Sequence, residues 1–193
     1  YSNHDKITDS EILEALRMWG FAKNRSRKNV RPDDREFVFS DSLGLVDSRR
    51  GFGTIRSEIT RYPNFCRLLN EWLRLNVPEN VGLPLAHTTI TINAHYAGKL
   101  HRDKRNLGPS YIKAFGKFQG GALQYFQIDK GQPLEELKFF TSTLGVKQMM
   151  LDVSKDLVLF DGRTAHSVQP FQGERFSIVW FACNLYESGH GHI

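Results

Sequence analysis

Cysteine is nearly missing from this chain: Cys66 and Cys183 are its whole complement, with no short spacing between them. That excludes a cysteine-based zinc cluster and leaves no disulfide framework to read. A reducing compartment follows as the expectation, intracellular and either nuclear or cytoplasmic. No run approaches the ~18 consecutive apolar residues of a membrane-spanning helix, so no membrane partner is expected. Internal repeats and low-complexity segments are also missing, which excludes solenoids and linker-like chains. The opening residues Tyr1-Ser2-Asn3-His4-Asp5 contain no apolar signal core, and the chain reads as a trimmed domain. Its 193 residues, 40% of them hydrophobic, suit one domain with its own core, expected as a monomer.

Acidic charge is in short supply. The net charge is +5, and the excess is gathered at Lys23–Arg31 (KNRSRKNVR), Arg49-Arg50 and Arg102–Arg105 (RDKR). Patches of this kind suit a polyanion, and nucleic acid is the partner they point to. A solvated basic surface is the plainer alternative.

The first part of the chain reads as helix and loop. Thr8 and Glu11 have the form of a capping box, and Ile12, Leu13, Leu16 and Trp19 come after it at helical spacing. Pro63 is placed for a first helical turn, with Phe65, Leu68, Leu69, Trp72 and Leu73 on one face after it. Residues 22–60, polar and dotted with glycine, read as loops and short pieces. Beyond Pro78, the segments Thr88–Tyr96, Ala122–Phe126, Leu157–Phe160 and Arg175–Cys183 read as strands. Turn signals fall at Gly108-Pro109, Gly120-Gly121, Asp161-Gly162 and Gly173. Helices first and strands afterwards predict an α+β domain, its N-terminal helices bracing a largely antiparallel β-structure.

Within that frame, His101-Arg102-Asp103 carries a possible chemistry. In extended backbone, residues i and i+2 face the same side, so His101 and Asp103 can address one ion. His166, after the Asp161-Gly162 turn, can supply a third ligand. Two histidines and a carboxylate on one face of an ion leave its other positions open, which is the mark of non-haem iron(II) oxygenases rather than structural zinc. Each piece alone is weak; the specificity comes from the residues beyond His166. Arg175 lies nine positions on, at the start of an apolar strand, and Ser177 shares its face, while Phe176, Ile178 and Trp180 share the other. An inward arginine is costly unless an anion pairs with it. A dicarboxylate would satisfy it bidentately, with the serine hydroxyl adding a further bond. A salt bridge from Arg175 to Glu174 or Asp161 is the structural alternative.

H-x-D, a distant His, and R-x-S some ten residues later resemble the pattern of the 2-oxoglutarate/Fe(II) dioxygenases over roughly residues 87–184. The resemblance implies a double-stranded β-helix (a jelly-roll, cupin-like core) over residues 87–184, with residues 1–80 as a helical and loop support in a single oxygenase domain. It also implies Fe(II), 2-oxoglutarate as cosubstrate, and O2. By similarity, Asn93 and Tyr96 would add cosubstrate contacts, although a regular strand points them oppositely and a bulge near Ala97-Gly98 would be needed. The stretch YAGKLHRDKRNLGPSYIKAFGKFQGGALQYF is most similar to the TET/J-binding-protein group, through His101, Asp103, Asn106, Gly108, Pro109, Ser110 and Gly120-Gly121. Those enzymes oxidise the methyl group of 5-methylcytosine or thymine in nucleic acid. The chain departs from TET proteins in lacking their cysteine-rich zinc region.

This likeness implies DNA more readily than RNA as the partner, and it makes Asn106, Ser110 and Tyr125 candidate substrate residues. Tyr111, Phe115, Tyr125 and Phe126 are candidates for stacking on a base, with core packing as the competing role. Two other functions stay open at this point. One is a 2-oxoglutarate-dependent hydroxylase of a small molecule or protein side chain; the other is a non-catalytic β-barrel binding module. The terminal His190-Gly191-His192 is expected to be a frayed tail.

Overall fold

The computed structural model describes residues 6–47, 53–55, 61–78 and 86–183. Arg49-Arg50 and His190-Gly191-His192 lie outside the described residues. Three helices are seen among them, α1 (Asp9–Met18), α2 (Pro63–Asn76) and α3 (Leu134–Ser142). The Thr8–Glu11 capping box is formed in both directions, and Pro63 opens α2 without leaving an unmet N–H.

Twelve strands succeed one another among the described residues as β1 (Lys23–Asn24), β2 (Val38–Asp47), β3 (Gly53–Ile55), β4 (Thr89–Ala94), β5 (Asn106–Phe115) and β6 (Phe118–Gly120), then β7 (Leu123–Tyr125), β8 (Met149–Leu151), β9 (Val158–Phe160), β10 (His166–Val168), β11 (Phe171–Gly173) and β12 (Phe176–Cys183). The large antiparallel sheet runs β1-β2-β4-β12-β5-β9, with β3 paired to β2. A second sheet, β10-β7-β8, and the β11-β6 ribbon complete the structure. This is the expected α+β, double-stranded β-helix arrangement.

Alternation along the central strands gives the large sheet two different faces. Ile90, Ile92, Phe176, Ile178, Trp180 and Tyr111 are buried on one, against Ile12, Leu16, Leu69 and Trp72 of the helices. There the Trp72 ring stacks on Trp180 at 5.8 Å, and its Nε1 donates to Asp9 Oδ1. Asp9 Oδ2 in turn pairs with the buried Lys113 at 3.1 Å, so the polar atoms beneath the helices are tied together. The opposite face looks toward the small sheet. Ile112, Ala114 and Phe160 pack there with Leu123 and Val153, while Ser40, Asn93 and Ser177 stand in register as a polar row.

Among the strands that were not anticipated, two are long. β2 lies within the region read as loops, yet it spans ten residues and pairs with β4 from Phe39↔Ala94 to Gly44↔Thr89. Its inner positions are Ser40 and Ser42, so the alternation is muted. β5 runs straight through Gly108-Pro109, read as a turn. Gly108 has φ +68, and the pairing with β12 shifts register between Trp180 and Ala182. The turn signal is thus a bulge inside a strand.

Candidate metal centre

His101 and His166 stand at a junction of the two sheets. Their backbones form an isolated antiparallel bridge, each N–H donating to the other's carbonyl at 3.0 Å. Asp103 is fixed two residues on, its N–H donating to Gly162 O at 2.8 Å. Between them, His101 Nε2 lies 3.6 Å from Asp103 Oδ1, and His166 Nε2 lies 3.8 Å from Oδ2. Both separations are shorter than the ~4.2 Å spanned by two bonds of ~2.1 Å to one ion.

The rings are already set for that role. His101 Nδ1 is 2.7 Å from Lys99 O, and His166 Nδ1 is 2.8 Å from Thr164 O. A carbonyl only accepts, so each Nδ1 carries the hydrogen and each Nε2 turns a lone pair toward the shared point. Burial, and after it the neighbouring His166, pushes the His101 pKa down to about 4, which keeps the ring neutral. The three residues are a cluster capable of holding a metal ion.

A clamp absent from the sequence reading braces the same loops. Arg102, between the two predicted ligands, donates bidentately to Asp129 at 2.7 and 2.6 Å. The Asp129 Oδ2 that accepts from Arg102 Nε also accepts from Ala165 N at 2.6 Å, one residue before His166. A single buried carboxylate therefore ties the H-x-D segment to the third histidine. Arg102 lowers the Asp129 pKa to about 2. This removes Arg102 from the basic patch expected to meet phosphate.

The cluster opens into a cavity of about 100 Å³ that also receives Asn93, Tyr96, Asn106, Arg175 and Ser177. Arg175 is 2% exposed, and neither carboxylate proposed as its partner reaches it: Glu174 pairs with Arg17 and Asp161 with Arg163. Its Nη2 donates to Gly121 O at 3.1 Å, its Nε has no hydrogen-bond partner among the described residues, and its guanidinium lies 5.4 and 5.3 Å from the Phe118 and Phe171 rings. Burial lowers its pKa to about 10, still well above neutrality. A buried cation with an unmet donor fits a carboxylate-bearing ligand. The passage for this side chain depends on Gly121: a Cβ there would sit 2.8 Å from Arg175 Nε, on a backbone already at φ +70.

Asn93 and Tyr96 do reach the cavity together. The reversal comes at His95, whose left-handed φ of 57 ends the strand, and not at Ala97-Gly98. Tyr96 Oη donates to Asn93 Oδ1 at 2.7 Å, and Ser40 Oγ donates to the same oxygen at 2.8 Å. Asn93 Nδ2 then donates to Ser177 Oγ at 3.3 Å, which frees the serine hydrogen to point elsewhere.

The predicted substrate residues divide. Asn106 lines the cavity and donates to Ser110 Oγ at 3.3 Å, but Ser110 is fully buried and does not line it. Tyr125 packs with the apolar residues between the sheets. Tyr111 and Phe115 belong to the helix-side core, and Phe126 packs with Leu137 and Ala165. None of these four aromatic rings lines the cavity; strand alternation and core packing claim them. Arg27 and Phe181 do line it, and neither was singled out from sequence. Arg27 was hidden in a charge run, and Phe181 in an apolar strand whose alternation nevertheless puts it on the face of Arg175 and Ser177.

No protein-family model matches the chain, and no curated protein is similar to it in sequence. Solved structures are similar in fold. An oxidoreductase of the 2OG-Fe(II) oxygenase family from Burkholderia pseudomallei aligns with a TM-score of 0.57 at 14% identity, over 90% of this chain and 80% of that one. NgTET1 in complex with 5mC DNA aligns with a TM-score of 0.47 at 18% identity, over 75% of this chain; the match spans 60% of the NgTET1 chain. A prolyl hydroxylase from Trichoplax adhaerens, in complex with a hypoxia inducible factor peptide fragment, aligns with a TM-score of 0.48 at 14% identity, over 95% and 80% of the two chains.

Proposed function

We propose that this chain is an Fe(II)- and 2-oxoglutarate-dependent dioxygenase, with His101, Asp103 and His166 as iron ligands and Arg175 holding the far carboxylate of oxoglutarate. The observation that carries this reading is the meeting, in one cavity, of a pre-oriented His-Asp-His set and a buried arginine with no carboxylate partner among the described residues. The likeness in fold to a 2OG-Fe(II) oxygenase family member supports it. Bound at this site, iron with oxoglutarate and O2 supplies the oxidation of a substrate C–H to C–OH, with succinate and CO2 as co-products.

The protein's own residues bind and orient. Lys99 O and Thr164 O hold the imidazoles with Nε2 inward, and Asp129 holds the loops that carry all three ligands. Arg175 offers charge and an unused Nε–H at the deep end, and Ser177, its oxygen engaged by Asn93, has a hydroxyl hydrogen to donate beside it. The apolar side chains of Ile112, Leu123, Val168 and Val179 line the remaining wall and exclude water from the reacting centre.

For the substrate, the reading is a 5-methylpyrimidine, thymine or 5-methylcytosine, in nucleic acid, DNA before RNA. It rests on the likeness of residues 96–126 to the TET/J-binding-protein group and on the basic run Lys23–Arg31. Incubation with Fe(II), oxoglutarate and methylated or unmethylated oligonucleotides tests it. One added oxygen atom, found by mass spectrometry only on the methylated strand, is expected. Unaltered oligonucleotides together with steady succinate formation would move the substrate to another class.

A further inference from the structure

The cavity at the metal cluster, of about 100 Å³, is bordered by a second cleft of about 380 Å³, and the two share four lining residues: Arg27, Thr91, Asn106 and Phe181. Asn24 and Arg105 lie farther along its wall, and no carboxylate lines it among the described residues.

The shared residues differ in what they can recognise. Arg27 is half-buried and donates through Nη1 to Ser40 Oγ at 2.9 Å, its one side-chain hydrogen bond among the described residues. The residue lines both hollows. Phe181 is a half-buried ring on the inward face of β12, where it borders both. Arg27 also sits within a run of nine residues, Lys23–Arg31, that holds five cations and no acid. A guanidinium and an aromatic ring on the walls of one cleft, with no carboxylate among its described lining residues, can read a phosphate and an adjoining base.

We propose that this side cleft is the substrate groove and that it takes a nucleotide unit of single-stranded nucleic acid, its phosphate on Arg27 and its base on Phe181. The proposal rests on the oxygenase reading above and gives the substrate class a place. Thr91 and Asn106 supply polar atoms where the base passes from the cleft toward the metal centre.

The test uses the full chain and a fluorescein-labelled twelve-nucleotide oligothymidylate, with affinity read by fluorescence anisotropy across a salt series. Wild-type protein should bind, and binding should weaken as salt rises. R27Q should weaken binding and flatten the slope of log affinity against log salt by about 0.7, one phosphate contact for a single strand. R27K should keep the slope. F181L, which keeps apolar volume without the ring, should cost at least about five-fold in affinity and leave the slope unchanged, as loss of one stacked base requires. An oligonucleotide that fails to bind wild type, or that binds R27Q and F181L as it binds wild type, overturns the groove. Calorimetry of oxoglutarate binding with Mn(II), on the same wild-type protein, separates the two readings. Cosubstrate binding without oligonucleotide binding removes the groove alone. Absence of cosubstrate binding removes the oxygenase reading, and the groove with it.

Discussion

Arg175 concentrates the energetics of the site in one residue. A guanidinium 2% exposed, with an unpartnered Nε, costs stability in the free protein, and an incoming carboxylate offsets that cost. Oxoglutarate with Mn(II) should therefore raise the melting temperature of wild type. R175M should fold with a melting temperature no lower than wild type's in the absence of ligand. It should also bind oxoglutarate at least about 30-fold more weakly, from the ~2 kcal/mol or more lost when a buried charge loses its partner. A ligand-induced shift of wild-type size in R175M would contradict this role. G121A tests the same side chain from outside, because the new Cβ would lie 2.8 Å from Arg175 Nε. Calorimetry should find weakened oxoglutarate binding in G121A with metal binding retained, and wild-type affinity would show that Arg175 needs no such passage. Arg175 and Ser177 were legible in the sequence because period-two alternation puts them on one face. Gly121 was legible only as a turn, since its importance is an approach across 54 positions of chain.

Among the elements, the loops matter more than the strands they join. Arg102 and Ala165 N both bind Asp129, which couples the loop before β5 to the loop before β10. D129N should remain folded at neutral pH but bind Mn(II) roughly 10–100-fold more weakly, as loss of a group that orients metal ligands does. Unaltered metal affinity would make the clamp purely structural. The carboxyl also links stability to pH. Its pKa falls from the ordinary 3.8 to about 2 in the fold, so its contribution is complete above about pH 4 and is lost as pH drops through about 2. With the side chain 3% exposed, that shift corresponds to roughly 2 kcal/mol. Urea unfolding should show wild type ahead of D129N at pH 7 and the gap closing between pH 4 and pH 2. The clamp was not legible in the sequence, because Asp129 sits in a turn with no periodicity. β2 was hidden for a related reason: its inward residues Ser40 and Ser42 are polar where a strand signal needs apolar alternation, and they are polar because that face borders the cavity. β5 is interrupted in the sequence pattern by Gly108-Pro109, a bulge that tertiary pairing absorbs.

At the scale of the whole molecule, one sheet separates two environments. Its helix side is sealed by Trp72 on Trp180 and by the Asp9–Lys113 pair, and this rigid backing holds the strands whose other faces present Asn93, Ser177 and Phe181. The architecture was legible from the helices-then-strands order, and the cavity from the residues of the R-x-S and H-x-D…H patterns. The second cleft was not, since its walls come from both ends of the chain. The central claim is that these parts make an Fe(II)-dependent consumer of oxoglutarate. The most direct measurement is succinate formed from oxoglutarate and O2 with Fe(II) present or withheld, in wild type and in H101A, D103A and H166A. Succinate should form only with Fe(II) and only in wild type. Iron-independent succinate, or undiminished turnover in any one of the three variants, would contradict the account.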